Sequence, residues 1–108
     1  MGISAIMGIA ISGMQAQTTP LSASANNVAN ALTPGYDRAV TSLSTRMDGG
    51  ASASVSPSGE ATLPGGSNVD MASEMLDAIG AELSFKANAS VFETGADMWD
   101  VLMRIKRD

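Results

Sequence analysis

The sequence predicts a mainly α protein with two long terminal helices flanking a short region of loops and a candidate β-hairpin. Three observations carry this expectation. Apolar residues form 44% of the 108-residue chain but aromatics only 4%, so its bulk is Ala, Met, Ile, Leu and Val, which suits helix packing better than a sheet sandwich. Near both ends, apolar and small residues recur in alternating steps of four and three, the spacing of a helix seam. Gly, Pro, Ser and Thr gather in the middle, where they signal turns.

The first helix is read from the series Ile3, Met7, Ala10, Met14, Gln17, Leu21, Ser24, Val28 and Ala31. Met7, Met14 and Leu21 are its packing candidates. Gln17 and Ser24 are polar and Ala10 is small, so the seam is weak by itself and needs neighbours. Pro20 interrupts it. Proline removes a backbone hydrogen bond and clashes with the preceding turn, which predicts either a kink near Thr18–Pro20 or two shorter helices meeting there.

Residues 33–67 carry Pro34, Pro57, Pro64 and the doublets Gly49-Gly50 and Gly65-Gly66. Between them "RAVTSLSTR" and "ASASVS" alternate weakly, and Gly49-Gly50 is placed to join them as a hairpin. A lone hairpin is marginal in water, so this one needs a surface to rest on or remains partly mobile.

From residue 68 a long C-terminal helix is expected, capped by Ser67 or Asn68, with Asp70 favouring its positive end. No proline follows Pro64, and Arg104, Lys106 and Arg107 suit the negative end. One stripe reads Met71, Met75, Ala78, Glu82, Phe85, Ala89, Phe92, Ala96, Trp99 and Met103; beside it run Ala72, Leu76, Ile79 and Leu83. Leu76, Ile79, Leu83, Phe92, Trp99, Leu102 and Met103 are the packing or interface candidates. Two stripes make an apolar arc wide enough for several neighbours. A helix of about 35 residues is about 50 Å long, more than a compact domain of this size needs. The chain is therefore expected to be one elongated unit, with spans 1–32, 33–67 and 68–108, that gains much of its stability by assembly.

Composition restricts the chemistry. With no Cys and no His, thiolate catalysis, disulfides and imidazole chemistry are excluded, and no cofactor is expected. The net charge of −5 and six scattered basic residues leave no face for nucleic acid. The apolar start lacks the positive segment of a secretory signal and is too short to span a bilayer. Ile6 breaks the myristoylation pattern.

Candidate sites have plain alternatives. Asp70, Glu74 and Asp77 share a helix face, and with no partner visible in sequence they read as a solvated or interface-facing acidic stripe. Arg104, Lys106 and Arg107 are placed to meet such a stripe on a neighbouring subunit. The methionines at helical spacing read as adaptable packing. Trp99 is either an interface anchor or a core residue. In "NNVANALTPGYDR" (26–38) the amides suit a helix end, and Thr33-Pro34-Gly35 has the order of a type II turn.

That stretch resembles the N-terminal signature of the bacterial flagellar axial proteins, the rod and hook family. Asn26, Asn27, Val28, Ala29, Asn30, Thr33, Gly35 and Tyr36 stand at the motif positions. The C-terminal part is similar to the family's other motif, through Asn68, Val69, Asp70, Glu74, Met75, Phe85, Ala87 and Asn88. The short middle and "LPGGSNVDM" look most like a proximal-rod protein. The resemblance implies a non-enzymatic subunit whose terminal helices pair as an α-helical hairpin and pack with copies of itself and other rod proteins. It also implies contacts with the membrane-ring and export-gate base, passage through the flagellar type III export apparatus without a cleaved signal peptide, and residence in the periplasmic rod. No small-molecule substrate is expected. The competing reading is a small helical binding module or export chaperone of fixed oligomeric size.

Overall fold

The computed structural model of the chain describes residues 2–107. Four elements follow one another: α1 (Ile3–Ala29), β1 (Ala39–Thr45), β2 (Ala51–Pro57) and α2 (Met71–Arg107). The protein is mainly helical, with two long helices and a short hairpin between them, as the periodicity and the glycine doublet predict. The helices pair antiparallel: Ile3 and Met7 lie against Gly95, Gly13 against Asn88, and Asn27 against Glu74. The result is a flat rod of 71 × 25 × 13 Å.

α1 runs unbroken through Pro20, so the two-helix alternative does not hold. A proline inside a helix costs about 3 kcal/mol. Packing of α1 on one side against α2 and on another against the hairpin offsets this, since tertiary contacts rather than propensity supply most helical stability.

The seam between the helices is built from small side chains. The buried apolar residues are Ala10, Ala16, Ala23 and Ala81, joined by the buried Ser12 and Ser24. On α2 the face turned inward carries Glu74, Ala78, Ala81, Ser84, Asn88, Phe92 and Gly95. It lies about one position round from the apolar stripe read in the sequence and shares Ala78 and Phe92 with it. Small residues win this face because they let two backbones approach closely; a Cβ on Gly13 would stand 2.7 Å from the Asn88 side chain. Met7, Met14 and Phe92 are half-buried, while Leu21, Leu76, Ile79, Leu83, Trp99, Leu102 and Met103 remain exposed.

α2 is the longer helix, with 37 residues against 27. Because Ile3 already lies beside Gly95, the end of α2 from Trp99 onward extends past the start of α1. This overhang carries Trp99, Val101, Leu102, Met103 and Ile105, all exposed.

The start of α2 corrects the expected cap. Asp70 fills that role: its carboxylate accepts the Ala72 N–H at 3.2 Å and the Ser73 hydroxyl at 2.9 Å. Ser67 and Asn68 bond elsewhere, because the chain reaches them while still crossing the end of α1.

β1 and β2 pair antiparallel from Ala39 opposite Pro57 to Thr45 opposite Ala51. Their loop closes through Arg46 N–H to Gly50 O at 3.0 Å. Gly50 has φ +94°, and a Cβ there would stand 2.4 Å from Ser12 Oγ; both facts require glycine. The hairpin rests on α1, where Ser12 Oγ donates to Ile9 O and accepts the Ala51 N–H at 3.1 Å.

Close approach at the seam is testable. Gly13→Val should lose about 1–3 kcal/mol by overpacking against Asn88, seen as reduced helical circular dichroism of the chain folded in an osmolyte-containing buffer. Gly80 faces open space within α2, so Gly80→Ala should raise the helical signal, by about 0.5–1 kcal/mol in stability.

Candidate functional site

The densest chemistry lies where α1 ends, β1 begins and α2 begins. α1 stops at Ala29 with Asn30 as its C-cap. Asn30 Nδ2 donates back to Asn26 O at 2.9 Å, and its Oδ1 accepts the Thr33 hydroxyl at 3.2 Å. Thr33-Pro34-Gly35-Tyr36 then turns through a Tyr36 N–H to Thr33 O bond of 3.2 Å, with Gly35 at φ +76°. The turn brings the Tyr36 hydroxyl back over α1, where it accepts from Asn26 Nδ2 at 3.0 Å and donates to Asn27 Oδ1 at 2.8 Å.

Asn27 is the centre of the junction and is 1% exposed. Its Nδ2 donates to Ala39 O at 2.9 Å and to Glu74 Oε1 at 3.0 Å. Its Oδ1 accepts from the Tyr36 hydroxyl and from Ala39 N–H, both at 2.8 Å. An amide side chain offers two donors and two acceptor sites, and here all are used. One residue of α1 thereby fixes the turn, the first residue of β1 and the first turn of α2.

Glu74 is also 1% exposed, and its Oε1 takes a second bond from Arg38 Nε at 2.9 Å. Arg38 divides itself, its Nη2 lying 3.5 Å from the exposed carboxylate of Asp77. Glu74 Oε2 has no partner. The acidic stripe expected from helical spacing is therefore corrected: Asp70 caps, Glu74 is a buried ion-pair partner, and Asp77 stays at the surface.

A second knot lies beside the first. Asn68 Oδ1 accepts the Arg38 N–H at 2.8 Å, and its Nδ2 donates to Asp37 Oδ1 at 2.8 Å, to Ser58 Oγ at 3.1 Å and to Glu60 O at 3.2 Å. Asp37 also accepts from the Ser58 hydroxyl and from Gly59 N–H. These donors favour the ionised form, so the Ser58 hydroxyl first, then Asn68 and Gly59, hold the Asp37 carboxyl below its ordinary range. Ser67 Oγ closes the knot, donating to Ala31 O at 2.5 Å.

Of the residues singled out in the sequence, Asn26, Asn27, Asn30, Thr33, Gly35, Tyr36, Asn68, Asp70 and Glu74 are brought together here. Val28, Ala29 and Met75 lie exposed nearby, and Val69 is half-buried. Phe85, Ala87 and Asn88 sit farther along α2 and take no part; Asn88 packs over Gly13 and donates to Ser84 O. Sequence reasoning missed Asp37, Arg38 and Ser58, and gave Ser67 only a capping role. The bonds Arg38–Glu74, Ser58–Asp37 and Ser67–Ala31 span 21 to 36 residues, beyond any periodic signal.

Two family models match the chain, and they divide at this junction. "Flagella basal body rod protein" covers residues 7–36, which is α1 and the turn to Tyr36. "Flagellar basal body rod FlgEFG protein C-terminal" covers residues 65–105, which is the approach to α2 and most of that helix. The flagellar hook protein FlgE of Brucella suis biovar 1 (strain 1330) is 49% identical over 41 residues, and the FlgE proteins of Brucella abortus biovar 1 (strain 9-941) and Brucella melitensis biotype 1 match equally. The chain belongs to the flagellar axial protein family. The match to the hook proteins covers 38% of this chain and 10% of theirs. Neither family model reaches Asp37, Arg38 or the hairpin. What the junction does chemically is lock three passages of backbone with directional hydrogen bonds.

Asn27→Ala should strand Glu74, Tyr36 and the Ala39 peptide groups and lose at least about 2 kcal/mol, whereas the exposed Asn26→Ala should lose under about 1 kcal/mol; denaturation midpoints in a common osmolyte-containing buffer compare them. The lowered pKa of Asp37 also has a pH consequence. A depressed folded value gives stability that is present above the unfolded carboxylate pKa and lost as pH falls below about 4. Melting of wild type and Asp37→Asn should therefore converge on acidification from pH 7 to pH 3.

Proposed function

We propose that the chain is a structural subunit of the flagellar basal-body rod, of the proximal-rod type. It polymerises helically through its terminal helices into part of the shaft that transmits torque. One observation carries this reading: the buried apolar side chains are small, Ala10, Ala16, Ala23 and Ala81 among the described residues, while the bulky apolar residues lie outside. Leu21, Leu76, Ile79, Leu83, Trp99, Val101, Leu102 and Ile105 are all exposed. Patches of this extent on a soluble chain mark interaction surfaces. They flank the seam and continue along the overhang, as a subunit needs if helices of neighbouring copies pack beside its own. The membership of the rod and hook family supports a structural axial role and a place in the flagellum.

In this reading the subunit is not an enzyme. It meets copies of itself, other rod proteins and the membrane-ring and export-gate base. It reaches the periplasmic rod through the flagellar type III export apparatus, unfolded and without a cleaved signal peptide. Among the described residues no helix is long and apolar enough to cross a membrane. A subunit with so small a core gains order on assembly, so the free chain should be only weakly helical.

Fractionation provides the test. The protein should be found in isolated basal bodies, at a copy number of several per rod, and deletion of its gene should abolish swimming. Asn27→Ala should reduce incorporation into basal bodies more than it reduces secretion. A fully folded free protein of fixed small oligomeric size, absent from basal bodies, would instead identify a binding module or export chaperone.

A further inference from the structure

One cleft on the subunit has a charge that the described side chains lining it do not balance. A cavity of about 280 Å³ opens between β1 and the start of α2, lined in part by Arg38, Thr41, Glu74 and Asp77. Two carboxylates share the single guanidinium of Arg38, so the cleft retains one net negative charge. Two polar atoms of its lining residues, Glu74 Oε2 and Thr41 Oγ1, are buried with no hydrogen-bond partner. Buried polar atoms without partners are costly. Asp77 is the accessible member, with its side chain 55% exposed.

The matching cation lies at the other end of the molecule. Arg46, Lys86 and Arg104 are occupied by Asp48, Glu82 and Asp100. Lys106, exposed on the overhang of α2, forms no ion pair with any described side chain. Asp77 and Lys106 are about 44 Å apart along one helix at 1.5 Å per residue, so they cannot meet within a subunit.

We propose that Lys106 of one copy enters the cleft of the next and pairs with Asp77, making a head-to-tail contact. This rests on the reading of the chain as a self-assembling subunit. Lys106 neutralises Asp77 and releases Arg38 Nη2, which turns onto Glu74 and converts a single bond into a two-pronged guanidinium–carboxylate pair that satisfies Oε2. Thr41 Oγ1 offers the incoming ammonium another acceptor. The positive end of α2 opposes a cation here, but Asp70 already caps that end. A contact joining unlike ends of identical subunits does not close on itself, so it propagates as a filament, and the joined subunits repeat about every 44 Å along the helix axis.

The absence of cysteine allows a clean test. Asp77→Cys/Lys106→Cys carries two thiols too far apart to join within a chain, so oxidation of basal bodies from cells expressing it should give a ladder of covalent multimers. Each single variant should give none, and Asp77→Cys/Lys86→Cys should give at most dimers. In parallel, Asp77→Lys and Lys106→Asp should each lower incorporation at least about five-fold, and the combined charge swap should restore it. Protein present in basal bodies with no ladder and no effect of either swap overturns the contact while leaving the rod reading intact. Loss with Asp77→Lys that Lys106→Asp fails to restore also overturns it, because the cleft then takes a different cation. Absence of the wild-type chain from basal bodies overturns the rod reading itself.

Discussion

The fold depends on the hydrogen bonds that converge on Asn27. In most small domains the largest buried side chains are apolar and their burial fixes the arrangement; here the largest fully buried side chains are Glu74 and Asn27. The apolar interior is four alanines, each contributing little beyond a methyl group. An alanine seam favours close helix contact but discriminates poorly between registers one turn apart, because each turn presents nearly the same surface. Asn27 supplies what the seam lacks. Its donors and acceptors are matched in number and direction by Ala39, Tyr36 and Glu74, and sliding α1 along α2 would break the bond to Glu74 and leave a buried carboxylate short of a donor.

The Arg38–Glu74 pair belongs to the same logic. Buried ion pairs are weak sources of net stability, since desolvation offsets most of their attraction, yet breaking one is expensive. Such a pair penalises wrong arrangements more than it rewards the right one. Asn68 then ties the backbone of Arg38 to the approach to α2. The guanidinium that reaches Glu74 is held in position by a residue on the same approach to the helix. Specificity in this chain is thus polar and local, whereas its large apolar side chains are directed outward.

This division explains what could be read from the sequence. Two helices and a hairpin were legible because steps of four and three, a glycine doublet and the prolines each have a local cause. The inward face of α2 was not. Hydrophobic periodicity reports where large apolar residues gather, and in most proteins that is the interior; here Met75, Phe85 and Trp99 mark the outside, and the interior follows Ala78, Ala81 and Gly95. Glu74 was legible as a motif residue but not as a buried one, because Arg38 lies on the far side of the hairpin in sequence. The three asparagines read correctly as a helix end, yet spacing alone did not separate the buried Asn27 from the exposed Asn26. The continuity of α1 through Pro20 was equally hidden, since it depends on packing on both sides of the helix.

The placement of the junction gives the subunit two unlike ends. At one, three passages of chain are bound together by Asn27, Asn68 and Arg38. At the other, α2 projects past α1 and leaves Trp99, Leu102 and Ile105 exposed. Directional bonds are short-ranged and resist shear, while apolar contacts tolerate small shifts in position. A molecule fixed at one end and adaptable at the other can keep its own geometry while adjusting to neighbours at slightly different angles. Polarity of this kind suits the head-to-tail contact proposed above, in which unlike ends of two copies meet. The polar knot and the apolar overhang are therefore complementary parts of one arrangement.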